Sequence, residues 1–165
     1  MLVISAFIKE VIGELIYIRA KETARCPICN SELRVIGSRH RNVIMPEDGK
    51  QTFVIRRLRC RQCSRIHHEL PDFMIPFKRH SANAVDKIIS YDASTPTDVR
   101  RSTAWRIRIW WAWLMEYFAC ACLSVKYKFG VDVSSARKLP QIVRAFVNAC
   151  VWPHTRSATL STNSS

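Results

Sequence analysis

Two pairs of cysteines are the residues of this sequence whose type and spacing point most directly to a chemical role. Two residues separate Cys26 from Cys29 and Cys60 from Cys63, and thirty residues lie between the pairs. A two-residue spacer lets a tight turn aim both thiolates at one ion, and four thiolates complete the tetrahedral shell of a structural Zn²⁺. The sequence therefore predicts one structural zinc ion bound by all four cysteines. The alternatives, unrelated buried cysteines or a redox pair, are disfavoured by two matched pairs around one predicted hairpin.

Basic side chains are the second chemical feature. The 165 residues include 26 Lys and Arg against 13 Asp and Glu, a formal net charge of +13. This balance is typical of a protein with a polyanionic partner, so nucleic acid and an anionic membrane surface are the two candidates. We predict DNA as the partner, with RNA left open and a merely solvated charged face as the alternative. The predicted contact residues are Arg39, Arg41, Arg56, Arg57, Arg59, Arg61, Lys78, Arg79, Arg100, Arg101, Ser102, Thr103, Arg106 and Arg108.

Catalytic machinery is not identified in the sequence. A metal-dependent nuclease or integrase needs clustered acids to hold two metal ions. There is no phosphate-binding glycine loop and no nucleophile motif either, so we predict a protein that is not an enzyme and has no small-molecule substrate. His67 and His68 are interpreted as polar surface groups. The acids that follow the second cysteine pair are scattered: Glu69, Asp72, Asp86, Asp92, Asp98, Glu116 and Asp132.

The segment between the cysteine pairs has the composition of a β-hairpin. The runs Leu33–Ile44 and Thr52–Arg59 are rich in β-branched residues, and Asp48-Gly49 between them is a strong hairpin signal. In the second run, side-chain alternation puts Arg57 and Arg59 on one face and Arg56 on the other. A basic ribbon of this kind can lie along a phosphate backbone.

Helices are predicted in the second half of the chain. Ser81 is a candidate N-cap for a helix to about Tyr91, and Thr95-Pro96 starts a short helix to Arg101. A longer helix follows from about Ser102 to Cys122, and a final one spans Leu139–Val151. If residues 81–122 form three helices, they match a helix-turn-helix arrangement. The third helix would then contact phosphates through its Ser and Thr start and bases through Arg106 and Arg108.

The long helix is apolar almost all round. One stripe recurs at helical spacing and comprises Trp105, Ile109, Ala112, Trp113, Tyr117 and Cys120. The apolar stretch Ile109–Val125 is seventeen residues long with Glu116 near its centre, which falls short of a membrane span. We predict burial against the N-terminal segment and the final helix. A second group, Cys120, Cys122, Cys150 and His154, is interpreted as buried core cysteines with a nearby histidine.

These elements predict an α+β fold in which an N-terminal zinc ribbon, a β-hairpin with a four-cysteine site, precedes a helical helix-turn-helix-like unit. Pro71 and Pro76 indicate an extended connector between the two. The predicted segments are an apolar N-terminal segment packing on the domain (1–24), the zinc ribbon (25–68), the connector (69–80), the helix-turn-helix-like unit (81–128), the C-terminal helix (129–156) and a flexible tail (157–165).

Several of these motifs together resemble an uncharacterised bacterial family that pairs a zinc ribbon with a helix-turn-helix-like region. The residues that carry the resemblance are Cys26-Pro27-Ile28-Cys29, Arg56–Cys63, His67–Pro71, Pro76–His80 and Trp152–Ala158. Similar arrangements occur at the N-terminus of insertion-sequence transposases. The resemblance covers about residues 25–158.

The resemblance implies a DNA-binding protein of the bacterial cytoplasm that is associated with a mobile element, as a transposition accessory or regulator. It also implies a partner, a transposase encoded nearby. The acidic catalytic domain of a full transposase is missing from the pattern. A truncated transposase or recombinase subunit is one alternative, and a membrane-associated or interaction protein that uses the Trp-rich helix is another.

Overall fold

The predicted hairpin forms the centre of a mixed six-stranded sheet. The computed structural model describes residues 1–90, 99–129 and 138–153. The strands are β1 (Leu2–Ile4), β2 (Phe7–Ile12), β3 (Leu15–Ala20), β4 (Leu33–Met45), β5 (Gly49–Cys60) and β6 (Ile66–Pro71). The helices of these residues are α1 (Ala82–Ile89), α2 (Arg101–Phe129) and α3 (Leu139–Asn148). Several predicted features lie outside the described residues: the helix start at 95–98, the loop at Gly130, His154, the tail at 157–165, and Asp92, Asp98 and Asp132.

Strand β5 organises the sheet because it has partners on both edges. Antiparallel pairing with β4 runs along its whole length, from Leu33 opposite Cys60 to Met45 opposite Gly49. Along its other edge, β5 pairs first with β3 in parallel and then with β6 antiparallel. β2 pairs with β3, and β1 pairs with β6. The hairpin that the sequence predicts is thus real, and its Gly49 takes the expected positive φ of 66° in the turn.

Helices and sheet share one hydrophobic core. On the sheet side, Phe53 and Ile55 of β5 are almost completely buried, as alternate residues facing one way. The predicted cap of α1 is confirmed, because the Ser81 hydroxyl accepts a hydrogen bond from the Ala84 amide at 3.2 Å. At the sheet edge, the side-chain amide of Asn148 both donates to and accepts from the backbone of Val3, at 3.0 and 2.8 Å. The helical layer therefore covers the sheet and caps the edge at β1.

The predicted fold class, a zinc ribbon followed by a separate helix-turn-helix-like unit, is wrong. The apolar N-terminal segment contributes three strands, so the hairpin is an inner part of a larger sheet. The connector also belongs to the core, since Met74 and Ile75 are fully buried in the same cluster as the helices. A ribbon that shares its core with the helices cannot be a separate module.

The buried face of α2 also differs from the predicted stripe. Trp105 is 63% exposed and Cys120 is exposed, whereas the buried positions are Ala104, Ile107, Trp110, Leu114 and Phe118. An almost uniformly apolar helix has no strong periodicity, so the sequence could not identify its inner face. Cys150 is exposed as well, which contradicts its prediction as a core cysteine.

In the part of the chain that the structure describes, no helix combines the length and the apolar character needed to cross a membrane.

Candidate metal centre and basic cleft

The four predicted cysteines come together in space. Their sulfur atoms all lie within 4.8 Å of one another, with Cys26 and Cys63 at 3.6 Å and Cys29 and Cys60 at 3.4 Å. In a tetrahedral shell with metal–sulfur bonds of about 2.3 Å, neighbouring sulfurs are about 3.8 Å apart. The thiols are therefore already arranged to hold one metal ion, as the sequence predicts.

The two Cys-x-x-Cys turns are built alike although their sequences differ. The residue after each pair, Asn30 or Ser64, has a φ of 58°. The amides of Cys26 and Cys60 each donate to the carbonyl five residues further along the chain, at 2.9 Å. Residues other than glycine adopt positive φ infrequently, and asparagine does so more readily than most. Each backbone turn thus presents two sulfurs on one side.

The two turns meet at the open end of the β4–β5 hairpin. Leu33, at the start of β4, pairs with Cys60, at the end of β5. The Arg61 amide also donates to the Glu32 carbonyl at 3.1 Å, which joins the second turn to the segment after the first. A bound metal would hold together chain segments that are thirty residues apart in sequence.

The local electrostatics favour an ion in this cluster. Burial works to raise the pKa of Cys60, but the amides of Cys63 and Gln62 and the neighbouring thiols lower it to about 6. The Arg65 amide works to lower the pKa of Cys63, but burial and the adjacent thiols raise it to about 12. Four sulfurs this close cannot all carry negative charge without a cation, and a divalent metal supplies that compensation.

His67 is a member of this site that sequence reasoning missed. It is 3% exposed, and its Nε2 lies 3.5 Å from the sulfur of Cys26. The expectation that His67 is a surface group is therefore wrong. Burial is also the main reason why its pKa is lowered. The sequence feature that could have predicted its burial is the alternation of side chains along a strand. This alternation puts His67 on the same face of β6 as the fully buried Glu69.

We expect the substitution H67A to weaken metal binding without removing a ligand. A hydrogen-bond donor beside a metal-bound thiolate stabilises its charge, and loss of such outer partners typically lowers metal affinity by about 10–100-fold. The measurement is competition for Zn²⁺ with a chromophoric chelator. H67Q, which keeps an N–H donor, should retain most of the affinity, and H68A is the neighbouring control. An H67A affinity within about twofold of the wild-type value would contradict this role.

A basic cleft of about 760 Å³ lies between the hairpin and the turn that precedes α1. It joins two groups of predicted contact residues that are far apart in sequence. None of the described residues that line it is an Asp or Glu. The cationic and imidazole side chains of the lining are Arg39, His40, Arg41, Lys50, His68, Lys78 and Arg79.

Two of these cations also hold the cleft together. The Arg41 guanidinium donates to the carbonyls of Ile75 and Lys78, and burial lowers its pKa to about 10 with a smaller contribution from Arg39. The Lys78 ammonium lies 4.2 Å above the ring of Trp110, and burial lowers its pKa to about 8. Both side chains therefore fix the turn at residues 75–79, and they add positive charge at the wall of the cleft.

The remaining predicted contacts do not line the cleft. Arg56 forms a two-pronged ion pair with Glu69, and Arg61 lies 3.7 Å from Glu32 in an exposed pair. Arg108 donates to the carbonyl of Ile88 at the end of α1, at 3.0 Å. The others are exposed or half-buried elsewhere on the surface: Arg57, Arg59, Arg100, Arg101, Ser102, Thr103 and Arg106.

Residues 26–107 match a family described as "Domain of unknown function (DUF6431)", just under half of the 165-residue chain. The match contains all four clustered cysteines and every residue of the cleft lining except Met1. The description names no enzymatic activity. No curated protein and no solved structure matches the chain.

Proposed function

We propose that this protein is a non-catalytic, zinc-dependent DNA-binding protein whose basic cleft holds the phosphate backbone. The observation that carries the proposal is the lining of the cleft, which includes five Lys and Arg residues and, among the described residues, no Asp or Glu. Positive side chains that converge in a concave surface raise the local potential and attract polyanions.

The choice of zinc follows from the ligand type. Thiolates are soft ligands that select Zn²⁺ over Mg²⁺, Ca²⁺ or Mn²⁺, which prefer oxygen donors. Four cysteines leave no open coordination position, so the ion has a structural role. By fastening the open end of the β4–β5 hairpin, it would stabilise the strand that carries Arg39 and Arg41.

An association with a mobile genetic element is part of this proposal. It is supported by the resemblance of the cysteine, Leu-Pro and basic motifs to the N-terminal part of insertion-sequence transposases. The protein would act as an accessory or regulator in the bacterial cytoplasm, and a separately encoded transposase would perform the strand transfer. The DNA contacts that we propose are those of the cleft.

The test is the salt dependence of DNA binding. Each phosphate neutralised on B-DNA contributes about −0.9 to the slope of log K against log salt concentration. The double substitution R39A/R79A should therefore flatten the slope by about 1.8 and weaken binding about tenfold or more at 0.1 M salt. Fluorescence anisotropy with a labelled duplex measures both quantities.

A matched control removes the same charge from outside the cleft. The substitution R59A/R106A changes two exposed arginines that do not line it, and should alter the slope by much less. If both double variants had the same effect on the slope and the affinity, DNA binding could not be assigned to the cleft. Wild-type affinity that is independent of salt would refute the electrostatic proposal altogether.

A further inference from the structure

We propose that the outer face of α2 pairs with the same face of a second copy of this chain, with the two helices antiparallel. The face consists of residues that recur at alternating intervals of four and three positions, and we call it the outer seam of α2. Its members are Trp105, Ile109, Ala112, Glu116, Ala119 and Leu123. None of the six lines the basic cleft, so this inference goes beyond the proposed DNA binding and does not depend on it.

The outer seam is open to solvent although it is largely apolar. Trp105 is 63% exposed and Leu123 is 73% exposed, and the four residues between them are exposed or half-buried. The opposite side of the helix faces the core, where Trp110, Leu114 and Phe118 are buried. Large apolar side chains that share one exposed face are typical of an interaction surface.

The spacing of the outer seam indicates that its partner is a helix. Intervals of four and three residues average about 3.5, the repeat with which two helices wind around each other and interlock their side chains. From Trp105 to Leu123 the seam is about 27 Å long at 1.5 Å per residue. All its positions except Glu116 are apolar. A fitting partner is therefore a helix with the same spacing and with a cation for one carboxylate.

A second α2 meets both requirements, and charge sets its direction. Glu116 is the only acidic residue of this helix, whose first half carries Arg101, Arg106 and Arg108. Parallel pairing would place Glu116 opposite Glu116 of the second copy, and like charges repel. Antiparallel pairing instead places it beside the arginine-bearing half. A membrane is a poorer occupant, because the seam would carry this carboxylate into the bilayer.

The sizes of the side chains fit a two-fold axis at Ala112. When Ala112 lies opposite Ala112 of the second copy, Trp105 lies opposite Ala119 of that copy, because both are seven residues from the centre. A bulky side chain then meets a small one at each end of the contact, which lets the two surfaces interlock. The symmetry repeats every contact, as in other two-fold dimers.

The first test is the mass of the protein in solution, measured by light scattering after gel filtration at concentrations up to about 100 μM. We expect the 19.1 kDa chain to form a dimer of twice that mass. W105E should raise the dimer dissociation constant at least about tenfold, because a buried tryptophan is often the main contributor to an interface. V11E is the matched control, since Val11 is a 70% exposed apolar residue on β2.

The second test fixes the direction of the helices by disulfide formation in a C120S/C150S background, which removes two exposed native thiols. A112C should cross-link two copies under mild oxidation, because position 112 faces itself. A119C, the control on the same face, should not, since its two copies would lie fourteen residues apart along the helix, about 21 Å.

Three results would overturn the proposal. A wild-type protein that stayed monomeric at the highest concentration would exclude the dimer, and binding of that monomer to anionic vesicles through Trp105 would assign the outer seam to a membrane. A dimer that W105E and V11E left equally intact would use another surface. Equal cross-linking of A112C and A119C would show parallel helices. The salt dependence of DNA binding is measured separately, so these outcomes leave the proposed function untouched.

Discussion

Chelation of the metal, or the substitution C60S, should lower the thermal midpoint of this protein by about 8–16 °C. A ligand present at about a thousand times its dissociation constant stabilises the native state by about 4 kcal/mol. For a chain of 150–250 residues, each kcal/mol corresponds to about 2–4 °C. The effect is large because the four sulfurs converge only in the folded chain. The free energy of metal binding therefore adds to the free energy of unfolding.

The expected result is destabilisation rather than complete unfolding. Small zinc fingers depend on the metal site rather than on a large hydrophobic core for their stability, and their metal-free form is unfolded. Here Phe53 and Ile55 of β5 are buried in a core that includes all the described helices, and that core does not contain the cysteine cluster. The metal-free protein should therefore retain most of its sheet near room temperature, with the open end of the β4–β5 hairpin frayed.

The measurement is differential scanning calorimetry with and without a chelator, together with metal analysis of the purified protein. C60S should reduce the bound metal well below one ion per chain. C120S is the matched control, because Cys120 is an exposed cysteine on α2 and its loss should change neither quantity. A wild-type protein that carried one ion but melted at the same temperature after chelation would show that the cluster does not stabilise the fold.

Local signals in the sequence were sufficient for the cysteine cluster and for the hairpin. The two-residue spacing in each cysteine pair, the β-branched runs and Gly49 all act over a few residues, and each has a known physical effect. The Ser81 cap belongs to the same class, since its hydroxyl meets an amide three residues later. Such features can be predicted because the interacting groups are neighbours along the chain.

The sheet could not be predicted in the same way because its other pairings are non-local. Leu15 lies opposite Thr52 in a parallel pairing, and Leu2 lies opposite Glu69, which is 67 residues further along the chain. Nothing in the local pattern of the N-terminal segment specifies these partners. The same holds for the cleft, which forms only when the turn at residues 75–79 is placed beside β4.

Charged residues were the least predictable part of the site. Three of the arginines that the sequence predicts as nucleic-acid contacts donate hydrogen bonds within the protein. They are Arg41, Arg56 and Arg108. An arginine that binds internal carbonyls or carboxylates has fewer N–H donors left for phosphate, and which arginines do so depends on tertiary structure. Net charge is therefore the basis for proposing a polyanionic partner, and the tertiary structure determines which arginines are exposed to it.

The substitution R56A should lower the free energy of unfolding by about 3–5 kcal/mol, the usual cost of leaving a buried charge without its partner. The Glu69 side chain is completely buried, and its two carboxylate oxygens accept from Arg56 Nε and Nη2 at 2.7 and 2.8 Å. The hydrogen bond from Arg56 is also the main reason why the pKa of this guanidinium is raised. Urea denaturation measures the loss, and R57A, which changes the half-buried neighbour on the opposite face of β5, is the control.

The double substitution R56M/E69L distinguishes an unpaired charge from a general packing defect. Apolar side chains of similar size remove both charges at once, so this variant should recover most of the stability lost in R56A. The folded R56A protein should still bind DNA as the wild type does, because Arg56 does not line the cleft. A double variant no more stable than R56A would show that packing around this pair, rather than the buried carboxylate, determines the loss. If R56A had the stability of the wild type but bound DNA weakly, Arg56 would be a DNA contact rather than a structural residue.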